Sequence, residues 1–562
     1  MIIEILTQKL NEILDYEIPF RVIKSNRPEL CDYQSDDIFK LAKLLKTNPM
    51  ELGPKIVEQI HQMTDFNEYF KTVEFAPPGF INMIVSDTLI NRVLEQMNNS
   101  DKFGLKEPEH VETFVLDYGG YNIAKPLHIG HLRPTIIGES IKRIIKFMGH
   151  NTIADVHLGD FGLQMGQVIY GIKRDNLSVE DININYLNKI YPEISGLCKE
   201  DDSVKEECTR ITKELQDGNE EYQKIWRKIY EVSIEDAKSI CDYLGVSFDL
   251  WQGESDANKY LEEVERLLND KNLLENSEGA LVVNVKKEDD NKPMPPMMFK
   301  KSNGAYLYDS TDLATIYERK LKFNPNHIIY VTDFRQNLHF EQVFRASDLA
   351  DILPYHSLEH AYNGTINGTD GKPFKTRKGD APKLGELFGM VKETFVSLKE
   401  ENKNMSEKDL DIIANAIIKF ADLSNARDKD YIFDIAKFSN VVGKTGPYIL
   451  YTYLRINKIL EQEDFNDKLS NQIYNETDHN LRLKITEFNL ALENAFKERK
   501  PNYIADYIYN LAVTANNFYQ NNYVSTEEDE TKKNDWLFVL SLTNKVLKQL
   551  LDLIMIEIPS VM

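Results

Sequence analysis

The chain has 562 residues, 42 % hydrophobic and 28 % charged, and carries a formal net charge of −23. That length exceeds what one hydrophobic core supports, so several domains are expected, and the composition excludes a mainly disordered chain. No apolar run approaches the ~20 residues of a membrane helix, and the four cysteines, Cys31, Cys198, Cys208 and Cys241, form no Cys-x-x-Cys pair, which points to a reduced cytoplasmic protein without a structural metal.

The acidic sum taken alone argues against a nucleic-acid protein, which usually carries a basic footprint. Charges are screened beyond about 10 Å, however, so a basic groove remains compatible with it, and an acidic lining would suit a cationic substrate.

In chain order, MIIEILTQKLNEILDY places Ile2, Ile3, Leu6, Leu10 and Leu14 at helical spacing. Glu4, Lys9 and Glu12 interrupt the run, so it reads as an amphipathic helix and not as a signal peptide. VEFAPPGFINMIV predicts two strands around Pro77-Pro78-Gly79, and the polar NNSDKFGLKEPEH reads as a connector. ETFVLDY predicts a buried strand and GGYNIAKP a loop. LHIGHLRPTIIGESIKRIIKFMGH predicts a helix with Ile136, Ile137, Ile141, Ile144, Ile145 and Met148 on one face, stopped at Gly149. NTIADVHLGD follows as a strand, completing a βαβ unit and implying a parallel sheet. Residues 170 to about 275 read as a charged helical insertion, after which ALVVNV, AYLYDS and HIIYVTD read as strands. A loop rich in glycine and basic residues, NGTINGTDGKPFKTRKGDAPKL, leads into a helical region from about 385, with a polar break at STEEDETKKND.

The strongest chemical signal is His128-Ile129-Gly130-His131 at the strand-to-helix junction. A helix N-terminus offers unpaired N–H groups and a partial positive charge, and two imidazoles there can donate to phosphate oxygens. Gly130 has no Cβ and admits a flat ring close to the backbone. Such a site suits ATP binding and stabilisation of charge building on the α-phosphate. The same short pattern also describes two surface histidines on a helix. Lys125, three residues before His128, could reach the same phosphates or be a solvated loop lysine.

DYGGYNIAKPLHIGHLRPTIIG and HLGDFGLQMG closely resemble the arginyl-tRNA synthetases of class I. TVEFAPPGFIN, YLYDSTDLAT, IIYVTDFRQNLHFEQVF, GKPFKTRKG and GKTGPYILYTYLRI resemble them too, in family order over nearly the whole chain. The resemblance implies an α/β catalytic core of Rossmann type with a helical insertion, an N-terminal α+β domain and a C-terminal all-α anticodon-binding domain. The corresponding boundaries are 1–105, 106–385 with the insertion at about 170–275, a connecting helical region 386–440, and 441–562.

The resemblance also implies roles. His128 and His131, with Lys125, would be catalytic, and Gly130 would join them in binding ATP. Asp117 and Asn122 would contact arginine, Tyr308 and Asp312 would face its guanidinium, and Gln336 would complete the pocket. Acidic and amide acceptors suit a planar cation with five donors, although Asp312 could equally cap a helix and Tyr308 fill a core. Lys375, Thr376, Arg377 and Lys378 resemble the second class I signature, with a departure: Pro373 and Phe374 stand where the signature has Lys and Met, and Lys375 where it has Ser. GGY at 119–121 likewise replaces the common Ser-Ser-Pro. Tyr448, Tyr451 and Arg455 on adjacent turns could stack and pair unstacked tRNA bases or pack into a core; Asn82 and Met562 match tRNA-contacting positions. ATP as substrate, Mg²⁺ with its phosphates, arginine and tRNA(Arg) are the implied partners, with no membrane, and a monomer is expected. The rival readings are another nucleotidylyl-transferring enzyme with the same histidine signature, or a non-catalytic RNA-binding paralogue.

Overall fold

The computed structural model describes residues 1–375 and 381–562. At the N-terminal end, helix Ile2–Ile13 buries Ile2, Leu6 and Leu10 along one stripe, as its spacing predicts. It accompanies an antiparallel sheet of β1 (Ile23–Lys24), β2 (Tyr33–Ser35), β3 (Phe70–Ala76) and β4 (Phe80–Val85), in the order β1-β2-β4-β3. The β3–β4 hairpin turns at Pro77-Pro78-Gly79, and β4 alternates buried and half-buried positions as a one-faced strand must. The sequence pattern marked only this hairpin; β1 and β2 are too short to leave a periodic signal.

The central sheet contains β5 (Thr113–Tyr118), β6 (Asn151–Asp155), β10 (His327–Val331) and β11 (Leu358–His360), in the order β11-β10-β5-β6, all parallel. β5 and β10 are buried at every position but the first, which accounts for their near-continuous apolar runs. Helix Ile129–Phe147 joins β5 to β6. Gly149 ends the helical region with φ +99°, and Glu107 and Pro108 occupy the place of a Cβ there.

From β6 the chain runs through the insertion, helices Leu163–Arg174, Ile184–Glu200, Asp202–Gln216 and Glu220–Leu244. It then forms helix Leu261–Asp270 and a small antiparallel sheet, β7 (Leu274–Ser277), β8 (Ala280–Val283) and β9 (Met297–Lys300). ALVVNV thus belongs to this separate sheet and not to the parallel one. AYLYDS is not a strand either: Tyr308 opens helix Tyr308–Phe323. Leu307 N–H is held by Ser310 Oγ at 3.2 Å, and the Ser310 hydroxyl donates in turn to Phe299 O. A short aromatic run is compatible with either element, and here the serine cap decides.

The C-terminal part is helical from Leu384. A two-residue parallel pair, β12 (Ile366–Asn367) with β13 (Tyr431–Ile432), ties it to the loop after β11. The expected polar break is shorter than its composition suggests, because Asp529 caps helix Glu530–Leu553 and TKKND lies inside it. Helix Ile129–Phe147 is clasped from this side. Arg133 Nε lies 3.0 Å from Asp422, both almost wholly buried. Ser140 donates to Leu553 O at 2.9 Å and Arg143 to Asp552 O at 2.8 Å.

The chain enters the parallel sheet at its middle, at β5, goes to β6 on one side and returns to β10 on the other. Ligands of open α/β sheets bind beyond the carboxyl ends of the strands where the order reverses, here β5 and β10.

Candidate functional site

At that edge, His128 is the N-cap of helix Ile129–Phe147. Its Nδ1 accepts from Gly130 N–H at 3.0 Å, and His131 Nδ1 accepts from His128 N–H at 3.1 Å, the ring centroids lying 4.1 Å apart. Both Nδ1 atoms are therefore acceptors, so each neutral ring carries its proton on Nε2. Burial lowers the pKa of both, with the charge of Lys125 adding to it, and His131 falls to about 3. The pair is thus two neutral Nε2–H donors at a helix start, a place that attracts anions. The space of a Cβ at Gly130 is filled by the His128 ring, 2.8 Å away at Cε1. The glycine therefore serves the imidazole's own fold-back, where the sequence suggested room for a ligand ring. Ala124, in the loop leading to the motif, takes φ +63°, and its N–H donates to Ser233 Oγ at 2.9 Å. Lys125 Nζ sits 4.7 Å over the ring of Tyr191 on the insertion.

The basic loop is anchored at both ends. Asn367 pairs with Pro373, and Phe374 N–H donates to Ile366 O at 3.1 Å. On the far side, Ile129 N–H donates to Pro382 O at 3.0 Å and Leu384 N–H to Leu127 O at 3.0 Å. The second anchor lies on the histidine motif itself. Lys375 is exposed, whereas Thr376, Arg377 and Lys378 lie outside the described residues.

Beside the histidines the strand ends carry an acidic pocket. Asp117 is the penultimate residue of β5 and Asp155 the last of β6; both accept from Arg319 Nη2, at 2.6 and 2.8 Å. Asp117, which the resemblance assigned to arginine contact, therefore already holds a buried guanidinium belonging to the protein. Asp312, one turn into helix Tyr308–Phe323, accepts from His339 Nε2 at 2.5 Å, and His339 Nδ1 reaches Asp309 at 2.8 Å. Burial opposes the charge on His339, and the two carboxylates overturn that and raise it to about 10. Burial likewise opposes the ionisation of Asp312, and His339 overcomes it. Tyr308 is 60 % exposed at the helix start, within electrostatic reach of Glu254 and Asp312. Asn122 bridges to Gly159 in the Gly-Asp-Phe-Gly turn, where a Cβ would lie 2.4 Å from its Oδ1. Gln336 stands exposed on the turn leading into the helix that carries His339.

The structure thus brings Asp117, Tyr308 and Asp312 to one pocket, with Asn122 and Gln336 on the segments bordering it. Sequence reasoning missed Arg319, His157, Glu254, Asp309 and His339. His157 and His339 lie inside HLGDFG and QNLHFEQ, stretches that carry the family resemblance. Glu254 follows a Gly whose Cβ space is taken by Asp160; nothing in its neighbourhood of the sequence singled it out. Burial pushes Glu254 up to about 7.

The remaining expected residues lie elsewhere. Asn82 sits on β4 opposite Gln34 and Glu74. Tyr451 is 42 % exposed, and the Arg455 guanidinium stacks on Tyr451 and Tyr519 at 5.3 and 4.7 Å from the ring centroids. Tyr448 turns inward, accepting from Asn516 Nδ2 at 3.0 Å. Met562 packs against the apolar core. No helix among the described residues is long and apolar enough to cross a membrane.

Comparison with known proteins matches three family models in order: an arginyl-tRNA synthetase N-terminal domain over residues 1–85, the catalytic domain of class I tRNA synthetases (R) over 92–435, and a DALR anticodon-binding domain over 449–562. The arginine–tRNA ligase of Alkaliphilus oremlandii is 41 % identical over 565 residues, covering 96 % of this chain and 95 % of the relative. That of Agathobacter rectalis is 39 % identical over 573 residues, with the same coverage. Among solved structures, arginyl-tRNA synthetase from Plasmodium falciparum aligns with a TM-score of 0.83 at 27 % identity, over 100 % of this chain and 99 % of that one. The Thermus thermophilus enzyme shares the fold, with a TM-score of 0.80 at 20 % identity over the whole of both chains.

Proposed function

The chain belongs to the arginyl-tRNA synthetases, class I enzymes that ligate arginine to tRNA, and we propose the following assignment of that reaction to its residues. The observation that carries it is the meeting, at one sheet edge, of two neutral imidazole donors with a pocket of buried carboxylates. ATP lies along the start of helix Ile129–Phe147, its phosphates facing His128 and His131 Nε2–H, with Lys125, Lys375, Thr376, Arg377 and Lys378 as further phosphate ligands. Arginine lies in the acidic pocket, its guanidinium toward Asp312, Tyr308 and Glu254, and its α-amino and carboxylate end toward Asn122 and Gln336. Asp117 acts through Arg319, which it holds in the pocket wall.

The arginine carboxylate attacks the α-phosphate, the bond to the β-phosphate breaks, and arginyl-adenylate and pyrophosphate form. The 2′-hydroxyl of the terminal adenosine of tRNA(Arg) then attacks the acyl carbon and AMP leaves. No side chain is needed as a nucleophile. Positioning and the preorganised Nε2–H donors supply the rate, since a transition-state donor is worth about 3 kcal/mol. Mg²⁺ enters on the ATP phosphates as part of that substrate. The N-terminal domain, through Asn82, and the C-terminal helices, through Tyr451, Arg455 and Met562, hold the tRNA. The protein acts as a monomer in the cytoplasm.

The test is amino-acid-dependent ATP–pyrophosphate exchange over the twenty amino acids, with and without tRNA(Arg). Exchange specific for arginine and dependent on tRNA is expected. Exchange with another amino acid, or none under any condition, would sink the assignment.

A further inference from the structure

One imidazole of the pocket has no task in this scheme. His157 follows β6 with φ +42°, in the left-handed region that a β-carbon disfavours. Its side chain is 13 % exposed, and neither ring nitrogen has a hydrogen-bond partner. Nε2 lies 3.7 Å from Asp312 Oδ1, close enough for charge attraction and too far for a hydrogen bond.

The groups facing it come from every element around the pocket: Asp117 on β5, Asp155 on β6, Asp160 in the next turn, Glu254 ahead of helix Leu261–Asp270, and Asp312 and Arg319 on helix Tyr308–Phe323. His339 stands behind Asp312. Burial opposes a charge on His157, but Asp117 and Asp312 more than reverse this, so it titrates above its ordinary value. A buried ring with two idle nitrogens on a strained backbone is costly to keep, and such features gather where a ligand is met.

We propose that His157 is a substrate-contacting, specificity-determining residue: as an imidazolium it holds the guanidinium's place in the empty pocket, and when arginine settles on Asp312 it yields its proton to solvent. The ring nitrogen so freed presents a lone pair to a guanidinium N–H. Charge balances, because one cation leaves the acidic pocket as another enters. A lysine ammonium also brings charge, but its compact head cannot meet Asp312 and the ring nitrogen as a planar fork does. The inference rests on the arginine reading above.

The test is calorimetric titration of the full chain with arginine between pH 6 and 9, in buffers of differing ionisation enthalpy. Glu254, titrating at about 7, also releases a proton to an incoming cation, so the comparison is made in Glu254→Gln against Glu254→Gln/His157→Asn. Proton release is expected in the first and absent in the second. Arginine affinity should rise with pH in the first by up to about tenfold per unit, and be flat in the second. Labelled histidine read by NMR in the unsubstituted protein decides the matter should Glu254→Gln lose arginine binding or the double variant not fold: one imidazole must lose its proton on arginine addition at constant pH. Arginine binding with equal proton release in both variants, or with no imidazole deprotonating, overturns the proposal while leaving the arginine reading intact. Absence of arginine binding by the unsubstituted protein overturns both.

Discussion

Raising the pH should loosen the pocket wall through His339, and the size of the effect follows from its two carboxylate bonds. Its pKa is raised from the ordinary 6.5 to about 10 in the folded protein. A group whose folded pKa is raised contributes stability that is fully present below its unfolded value and is lost as pH climbs through the folded one. The window is therefore about pH 6.5 to 10. The shift of 10 − 6.5 = 3.5 units corresponds to an upper bound of about 5 kcal/mol at roughly 1.4 kcal/mol per unit. The side chain is 25 % exposed, so solvent screening reduces this to the order of 2–4 kcal/mol. The assay is urea unfolding of the wild type and His339→Gln at several pH values, followed by fluorescence. Taking the difference between the two proteins cancels the titration of shared lysines and tyrosines. The wild type should be the more stable by its full margin near pH 6, and the margin should vanish by about pH 10.5. A margin constant from pH 6 to 10.5 would refute the reasoning, because it would mean that His339 is held by packing and not by charge.

Gly130→Ala should lower arginine activation by about 10–100-fold, because its Cβ would stand 2.8 Å from His128 Cε1 and turn a transition-state donor aside. Thermal stability should hold or rise slightly, alanine being the better helix former; wild-type exchange rates would show that the fold-back of His128 is immaterial. His131→Ala should cost about 10²-fold in the same exchange assay. The acid limb of the wild-type pH profile should not report His131, which stays neutral until about pH 3. Asp422→Asn leaves the buried Arg133 guanidinium without its counter-charge and should destabilise by about 3–5 kcal/mol. Unfolding midpoints matching wild type would remove that ion pair from the stability argument. Lysine should be rejected by about 10⁴-fold relative to arginine, and comparable exchange with both amino acids would contradict an acceptor-lined pocket.

What could be read from the sequence divides by the range of the interaction. The helix at 129–147 was legible because its apolar stripe and its stopping glycine are local. So was the β3–β4 hairpin. AYLYDS misled because its aromatic alternation fits a strand, while the serine that caps the helix reaches back to Phe299, eleven residues away. The pocket was half legible. Asp312 could be named from the family resemblance, but its partner His339 is 27 residues distant and the Asp117–Arg319 pair spans 202. No periodicity encodes such pairs; only the closing of the sheet brings them together. Glu254 is one of 90 acidic residues, and burial at the end of the insertion alone distinguishes it.

The placement of the signature helix ties these parts into one mechanism. Its first turn holds His128 and His131, and its flank holds Arg133 to Asp422, Ser140 to Leu553 O and Arg143 to Asp552 O. Nineteen residues at about 1.5 Å each make a rod of roughly 28 Å. Its nearest anchor, Arg133–Asp422, is an ion pair too deeply buried to slip without exposing a charge to an apolar interior. The other end of the phosphate site, the loop strand at 382–384, is bonded to the same helix start. The signature helix therefore joins the C-terminal helices, through Arg133, Ser140 and Arg143, to the segment at 382–384 beside the histidines. On the proposed assignment of Tyr451 and Arg455 to tRNA, this connection runs from the tRNA-binding helices to the phosphate site without passing through Asp117, Asp312 or His339. The acidic pocket is held separately, by Arg319 between Asp117 and Asp155 and by His339 between Asp309 and Asp312.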